Sequence, residues 1–373
     1  VVEGEDRGEW KARWVIDGTG RESMIAKLRD LRVPEKKHKI ASAWGRFRGV
    51  KDLDQMGPEE WRARARYTSR VLSTNHFMYP GYWIWLIPLR EGLTSVGLVQ
   101  DRSLWGVDRH KPEGFVDYLR QHGALAEILE DVECVDLEAF TQLAFRTRQW
   151  FDGAERWATV GDSSAFADPF YSPGSDFIAT ANDLIADLVR RDLAGEDVEE
   201  MGRLYDRFMQ YRFDTTLVIY EGMYPVFGSF ELYEAKVFFD TACYYNLLFD
   251  SYARDQHLDP RWVRTQLRRK DWVMQALTNF GDLFSGAAAE MQKRGTYFRG
   301  NTGEFRLKGR KSFGVMEEIG KKRSRREVNA RNEEIFQKTQ AMVAQALDGD
   351  GELVEWLMSG SRELYDAWKQ LSA

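Results

Sequence analysis

The apolar run from Tyr82 to Leu89, with Trp83-Ile84-Trp85-Leu86-Ile87-Pro88 inside it, leaves this chain little freedom. A turn at Arg90-Glu91-Gly92 and a second run, Leu93-Thr94-Ser95-Val96-Gly97-Leu98-Val99, predict a β-hairpin over Gly81 to Val99. Side chains alternate across a strand, so Trp83, Trp85 and Ile87 share one face while Tyr82, Ile84 and Leu86 share the other. Both faces are apolar, and the strand must be covered on both sides by a larger assembly. With 373 residues and 43% hydrophobic content the chain can supply that cover, as two domains or as one large domain with an extension.

Further along, Trp157-Ala158-Thr159-Val160 reads as a short strand that ends in Gly161-Asp162. It leads through small residues and Asp168-Pro169 to a helix expected from about Ser175 to Leu193. Apolar residues at Phe177, Ile178, Ala181, Leu184, Ile185, Leu188 and Val189 give that helix its buried stripe, and Gly195 is its expected stop. A strand that feeds a helix N-terminus leaves unpaired N–H groups at the positive end of the helix dipole. Such a place suits an anion or an electron-rich ring edge.

Together these motifs resemble those of the flavin-dependent halogenases, within the wider group of FAD-dependent monooxygenases and reductases. The W-x-W-x-I-P motif is Trp83 to Pro88, and the G-D-A-x-x-F-x-D-P segment appears as Gly161-Asp162-Ser163-Ser164-Ala165-Phe166-Ala167-Asp168-Pro169. Trp14-Val15-Ile16-Asp17-Gly18-Thr19-Gly20-Arg21 is similar to a strand and turn of such enzymes, and the resemblance covers residues 10 to 195. It implies an α/β (α+β) fold: a Rossmann-like FAD-binding flavoprotein monooxygenase with an antiparallel substrate-side sheet and a mainly helical C-terminal region. The expected division is a partial FAD-binding domain over 1–195 and a helical, aromatic-rich substrate region over 196–373. By resemblance Asp17, Gly20, Arg21, Gly161, Asp162, Asp168 and Pro169 bind FAD. Trp83, Trp85, Ile87 and Pro88 form a dry active-site wall, and Ser172, Gly174 and Ser175 bind halide. The implied chemistry is that of secondary metabolism and antibiotic biosynthesis: FAD reduced by a separate flavin reductase, O₂, and chloride or bromide, giving hypohalous acid through a flavin hydroperoxide.

The chain also departs from that pattern. No G-x-G-x-x-G precedes a helix, so the sequence resembles a flavoprotein lacking its first hundred or so residues, on the usual size of a mononucleotide-binding half. The lysine that carries or orients hypohalous acid would lie in that part, and no lysine present is assigned to it. Pro173 has no N–H to offer an anion. With Ser172 as N-cap and Pro173 at the first helical position, the amides of Gly174 and Ser175 remain. Tyr171 stands where tryptophan-specific relatives carry glutamate, which points instead to phenols, pyrroles or acyl groups held on a carrier protein. The alternative is a monooxygenase or dehydrogenase of the same fold without halide use. A third reading is a catalytically idle flavoprotein-like subunit.

The remaining residues say less. His38, His76, His110, His122 and His257 show no metal-ligand spacing and read as structural or surface groups, with His76 the one placed to face a substrate cavity. Cys134 and Cys243 form no disulfide framework and, with no signal sequence, fit a reducing cytoplasm. A net charge of −6 with both signs mixed speaks against a nucleic-acid surface, and no apolar run reaches membrane-spanning length. Residues 200 to 295 are rich in aromatics, among them Tyr220, Tyr224 and Phe227, which are spaced to share a helix face until Pro225 interrupts it. A basic run holds Arg306, Lys308, Arg310, Lys311, Lys321, Lys322, Arg323, Arg325 and Arg326. It is read as a solvated segment, or as a docking patch for an acidic carrier protein. Helices over about 326 to 347 and 351 to 371 are expected to form a polar surface hairpin.

Overall fold

The computed structural model describes residues 10–63, 69–303 and 317–358. The chain forms two units, each built from separated stretches. The first takes residues up to Pro34, Phe145–Thr216 and Asp255–Lys270; the second takes Glu35–Ala144, Leu217–Arg254 and residues from Asp271 on.

In the first unit the strand Val15–Asp17 pairs in parallel with Trp157–Thr159, which pairs antiparallel with Phe151–Asp152. A second small sheet sets Phe145–Thr147 between Ala165–Phe166 and Arg32–Pro34. The Gly174–Leu193 helix buries Phe177, Ala181, Leu184, Ile185 and Leu188 at the expected spacing. It stops at Ala194 before Gly195, whose φ of +86° belongs to a left-handed cap. Phe177 meets Trp150 and Phe213, at ring separations of 6.1 and 5.7 Å, to form an aromatic core. Each such ring contributes roughly 1.5–3 kcal/mol by leaving water. Near the other end of the helix, buried Asp192 takes Arg13 Nε at 2.5 Å, Trp14 Nε1 at 3.0 Å and Arg156 Nε at 3.0 Å. Those contacts tie the approach to the first strand and the turn before Trp157 to the helix.

The second unit holds an antiparallel sheet in the order Asn75–Tyr79, Tyr82–Pro88, Thr94–Asp101, Ile40–Arg48, Glu133–Phe140. The predicted hairpin is its second and third strands, with Trp83 opposite Val99 and Trp85 opposite Gly97. Ile84, Leu86, Val96, Leu98, Ala43 and Phe47 join Phe115, Leu119, Leu125 and Ile128 from the helices Pro112–Leu119 and Gly123–Ile128 in one buried core. Trp83 and Trp85 lie on the opposite face, 2% and 9% exposed, so both faces are covered as the alternation demanded. The helices Phe230–Cys243, Lys270–Lys293 and Arg325–Ala346 meet through Phe239, Phe280 and Phe336, with centroids 4.3 to 6.1 Å apart. Lys236 is fully buried there, its Nζ 2.6 Å from both Asp240 carboxylate oxygens and 2.5 Å from the Ile219 carbonyl.

Two expectations are corrected. Tyr220 and Tyr224 do not share one helix face, because the Glu199–Ile219 helix ends before them and Gly222, with φ +75°, reverses the chain into Met223–Val226. Tyr224 and Phe227 touch, edge to face at 5.1 Å. The last helices are not a polar surface hairpin: Arg325–Ala346 buries Asn329, Asn332, Ile335, Thr339 and Val343. Of the second expected helix, Gly351–Leu357 is seen and the rest lies outside the described residues, as do Arg306, Lys308, Arg310 and Lys311.

Candidate functional site

In the first unit the strand Trp157–Thr159 ends in a turn, Gly161–Ser163, entered through a left-handed backbone that glycine adopts without strain. Gly161 has φ +61°, and a Cβ there would stand 3.0 Å from Ile178 of the following helix. Ser163 Oγ lies 2.5 Å from the Asp17 carbonyl and accepts the Val160 N–H at 3.0 Å, which locks the turn to the neighbouring strand. The Asp17 carboxylate accepts the N–H groups of Thr19 at 2.9 Å and Ile25 at 2.7 Å and the Thr19 hydroxyl at 2.6 Å. Asp17 thus shapes the loop that carries Gly20 and Arg21.

Asp162, on that turn, has no hydrogen-bond donor among the described residues, and burial pushes its carboxyl up against the opposing pull of Arg21. The Arg21 guanidinium stacks over Phe145 at 4.7 Å and Phe166 at 5.3 Å. Burial, aided by nearby Arg32, brings Arg21 down to about 10 although Asp162 favours its charge. Asp168 is buried, and its carboxylate accepts the Phe170 N–H at 2.9 Å to fix the Asp-Pro turn. Ser172 follows with φ +53°, a strained setting for a residue with a Cβ. Its N–H is spent on the Pro169 carbonyl at 3.0 Å.

Pro173, not Ser172, is the N-cap, so the helix starts one residue later than the proline rule suggested. The N–H groups of Asp176 and Phe177 both turn to the Pro173 carbonyl. Those of Gly174 and Ser175 meet no acceptor among the described residues. Two free amides at the positive end of a 20-residue helix therefore stand in one concavity with the half-buried Asp162.

That concavity has a volume of about 300 Å³ and is lined by Asp162, Ala165 to Pro169, Ser172 to Ser175, Phe177 and Ile178. Six of the residues expected at the cofactor and halide sites, Asp162, Asp168, Pro169, Ser172, Gly174 and Ser175, are brought together there. A Cβ on Gly174 would meet nothing within 4 Å, so the protein itself does not demand glycine at that point of the wall. Phe166 and Ile178 were not singled out as site residues. Ile178, 43% exposed, was counted in the buried stripe because it sits at its edge; the close approach of Gly161 was the signal that could have placed it. An unpartnered carboxylate suits the hydroxyls of a ribityl chain, and the amides suit an anionic ring edge or a halide, so these residues fit a part of FAD.

Trp83, Trp85, Ile87 and Pro88 belong to the second unit. Trp85 Nε1 donates to Ser95 Oγ at 3.1 Å, and its ring lies flat over Gly97, where a Cβ would come within 2.0 Å of it. Trp83 packs against Trp85 at 5.4 Å and against His76 at 5.1 Å, the latter side chain being exposed. His122 stacks on Tyr79 at 3.9 Å and bonds the Tyr82 hydroxyl at 2.9 Å, and His257 bonds Asp183 at 2.9 Å. No group of three or more His, Cys, Asp or Glu able to hold a metal occurs among the described residues, nor is any helix there long and apolar enough to cross a membrane.

No family model matches the chain. In sequence it is 24% identical over 262 residues to the flavin-dependent halogenase chlA of Dictyostelium discoideum, which covers 66% of this chain and 42% of that protein. It is 27% identical over 240 residues to the tryptophan 2-halogenase of Chondromyces crocatus, covering 61% of this chain and 42% of the relative. The chain thus spans less than half the length of these relatives. Its fold matches the crystal structure of halogenase PltM in complex with phloroglucinol and FAD, with a TM-score of 0.58 at 16% identity over 90% of this chain and 65% of that one.

Proposed function

Related in sequence and fold to the flavin-dependent halogenases, the chain is, we propose, part of an FAD-dependent halogenase that acts on a small aromatic molecule, free or held on a carrier protein. The observation that carries this reading is the concavity where the Asp162 carboxylate and the free N–H groups of Gly174 and Ser175 converge. FAD, when bound and reduced there by a separate reductase, would supply the electrons that activate O₂. Asp162 would accept hydroxyl hydrogen bonds of the cofactor, and Arg21 would hold negative charge beside it. The amides of Gly174 and Ser175 would hold a chloride or bromide and strip part of its hydration, which raises its nucleophilicity. Asp17, Gly20, Gly161, Asp168 and Pro169 would shape the loops around the cofactor. Trp83, Trp85, Ile87 and Pro88 would be the dry apolar wall; the burial of both indoles supports this.

A second reading, a monooxygenase or dehydrogenase without halide use, is favoured by a specific observation: Ser172 spends its N–H on Pro169 and Pro173 has none, which leaves two amides for an anion. Bromide anomalous diffraction on the FAD-loaded, full-length protein separates the two. We expect a bromide peak within hydrogen-bonding distance of the Gly174 and Ser175 nitrogens. Well-ordered FAD with no such peak would transfer the assignment to the second reading.

A further inference from the structure

In the second unit a wide helical turn, Tyr244–Phe249, with π-type hydrogen bonding, carries aromatic rings outward. Tyr244, Tyr245, Phe249 and Tyr252 touch one another with centroids 5.1 to 6.5 Å apart, and each remains partly exposed. The turn is held from beneath by a buried polar network. Asn246 Nδ2 donates to Asn332 Oδ1 at 2.7 Å, and its Oδ1 accepts Arg323 Nη1 at 2.6 Å. Arg323 also pairs with Asp250 at 3.0 Å, and the Gly320 N–H donates to Asp250 Oδ1 at 3.1 Å. Residues 320–323 are therefore fixed beside the aromatic turn.

On this fixed segment and the helix turn after it stand Lys321, Lys322, Arg325 and Arg326, all exposed and none in an ion pair with a described residue. Among the described residues, Glu318 pairs with Arg323 and Arg331 instead, and Glu327 accepts the Ser324 N–H at 2.6 Å. Arg325 and Arg326 also occupy the first turn of a helix, where the dipole disfavours cations. An anionic cover would relieve that repulsion.

We propose that the aromatic turn and these four cations form a docking surface for an acidic amphipathic helix of a protein partner. Rings at the centre with a charged rim are the anatomy of protein interfaces. Apolar residues of the helix, spaced at i, i+3 and i+4, would sit on Tyr245 and Phe249, and its carboxylates would face Lys321, Lys322, Arg325 and Arg326. The overall charge of −6 opposes a long polyanion or an anionic bilayer, whereas a short helix needs only the local complement.

The test is fluorescence anisotropy of the full chain with a labelled synthetic helix that carries one leucine stripe and glutamates elsewhere. Comparators are the same composition in scrambled order, a DNA duplex and phosphatidylserine vesicles. It needs neither flavin nor turnover, so its outcome is independent of the halogenase reading. We expect the striped peptide to bind, the scrambled one to bind about tenfold more weakly, and affinity to fall as salt rises. Joint Lys321→Glu, Lys322→Glu, Arg325→Glu and Arg326→Glu reversal should lower affinity at least tenfold, and Tyr245→Ser several-fold, with circular dichroism unchanged. Should the reversal variant misfold, Lys321→Gln with Lys322→Gln carries the test, with a loss of several-fold expected. Equal binding of the scrambled peptide, no effect of the charge changes, or preference for duplex or vesicles would overturn the proposal.

Discussion

At Gly97 a missing side chain does as much as a present one. The Trp85 ring occupies the space where a Cβ would be, so Gly97→Ala should overpack the sheet and cost about 1–3 kcal/mol in denaturant unfolding. In a Trp85→Leu background the same change should cost markedly less, since the two positions share one volume. Single residues were legible where a motif was local: the resemblance pointed to Asp162, Gly174 and Ser175, and the three line one concavity. Two details were not. The cap fell on Pro173 because Ser172 takes a left-handed backbone, and Asp17 turned inward to hold two N–H groups of its own loop. Both depend on hydrogen bonds that no spacing encodes.

Among elements, the strongest patterns were the most faithful. The alternation of Tyr82–Pro88 specified two apolar faces and the 3–4 spacing of Gly174–Leu193 one, and each formed as expected. The C-terminal helices misled because their buried faces carry Asn329, Asn332 and Thr339, residues that read as solvent-facing until partners such as Asn246 are known. The Phe230–Cys243 helix hides a similar polar pair. Lys236→Met alone would leave Asp240 without its buried cation and should cost about 3–5 kcal/mol, whereas Lys236→Met with Asp240→Leu should recover most of that loss. Chemical denaturation of the two variants reads the difference directly. Burial holds the Lys236 ammonium below its ordinary range despite Asp240, which is why apolar replacement of both is expected to be mild.

For the molecule as a whole, pH response is set by carboxylates in opposite environments. Burial raises Asp206 from 3.8 to about 6, against the hydrogen bonds it accepts from Trp150 and Phe151. Between those values the folded chain holds a proton that the unfolded chain releases, so this group's contribution to stability falls as pH rises from about 4 to 6 and is flat above. Asp206→Asn should gain on the wild type over that window, by at most about 3 kcal/mol for a two-unit gap. Urea midpoints at pH 4.5 and 7.5 test it. Asp192 works in the other direction: Arg13, then Trp14 and Arg156, hold its carboxyl well below the ordinary range, so its contribution is present above that range and lost in acid. The division into two units was not legible, because it arises from pairings between distant residues. The Val15–Asp17 strand finds its parallel partner only at Trp157–Thr159, while every strand of the five-stranded sheet lies between Ile40 and Phe140. On a ribosome, that sheet can close as soon as Phe140 has emerged. The first strand must wait, unpartnered, until Thr159 has emerged as well.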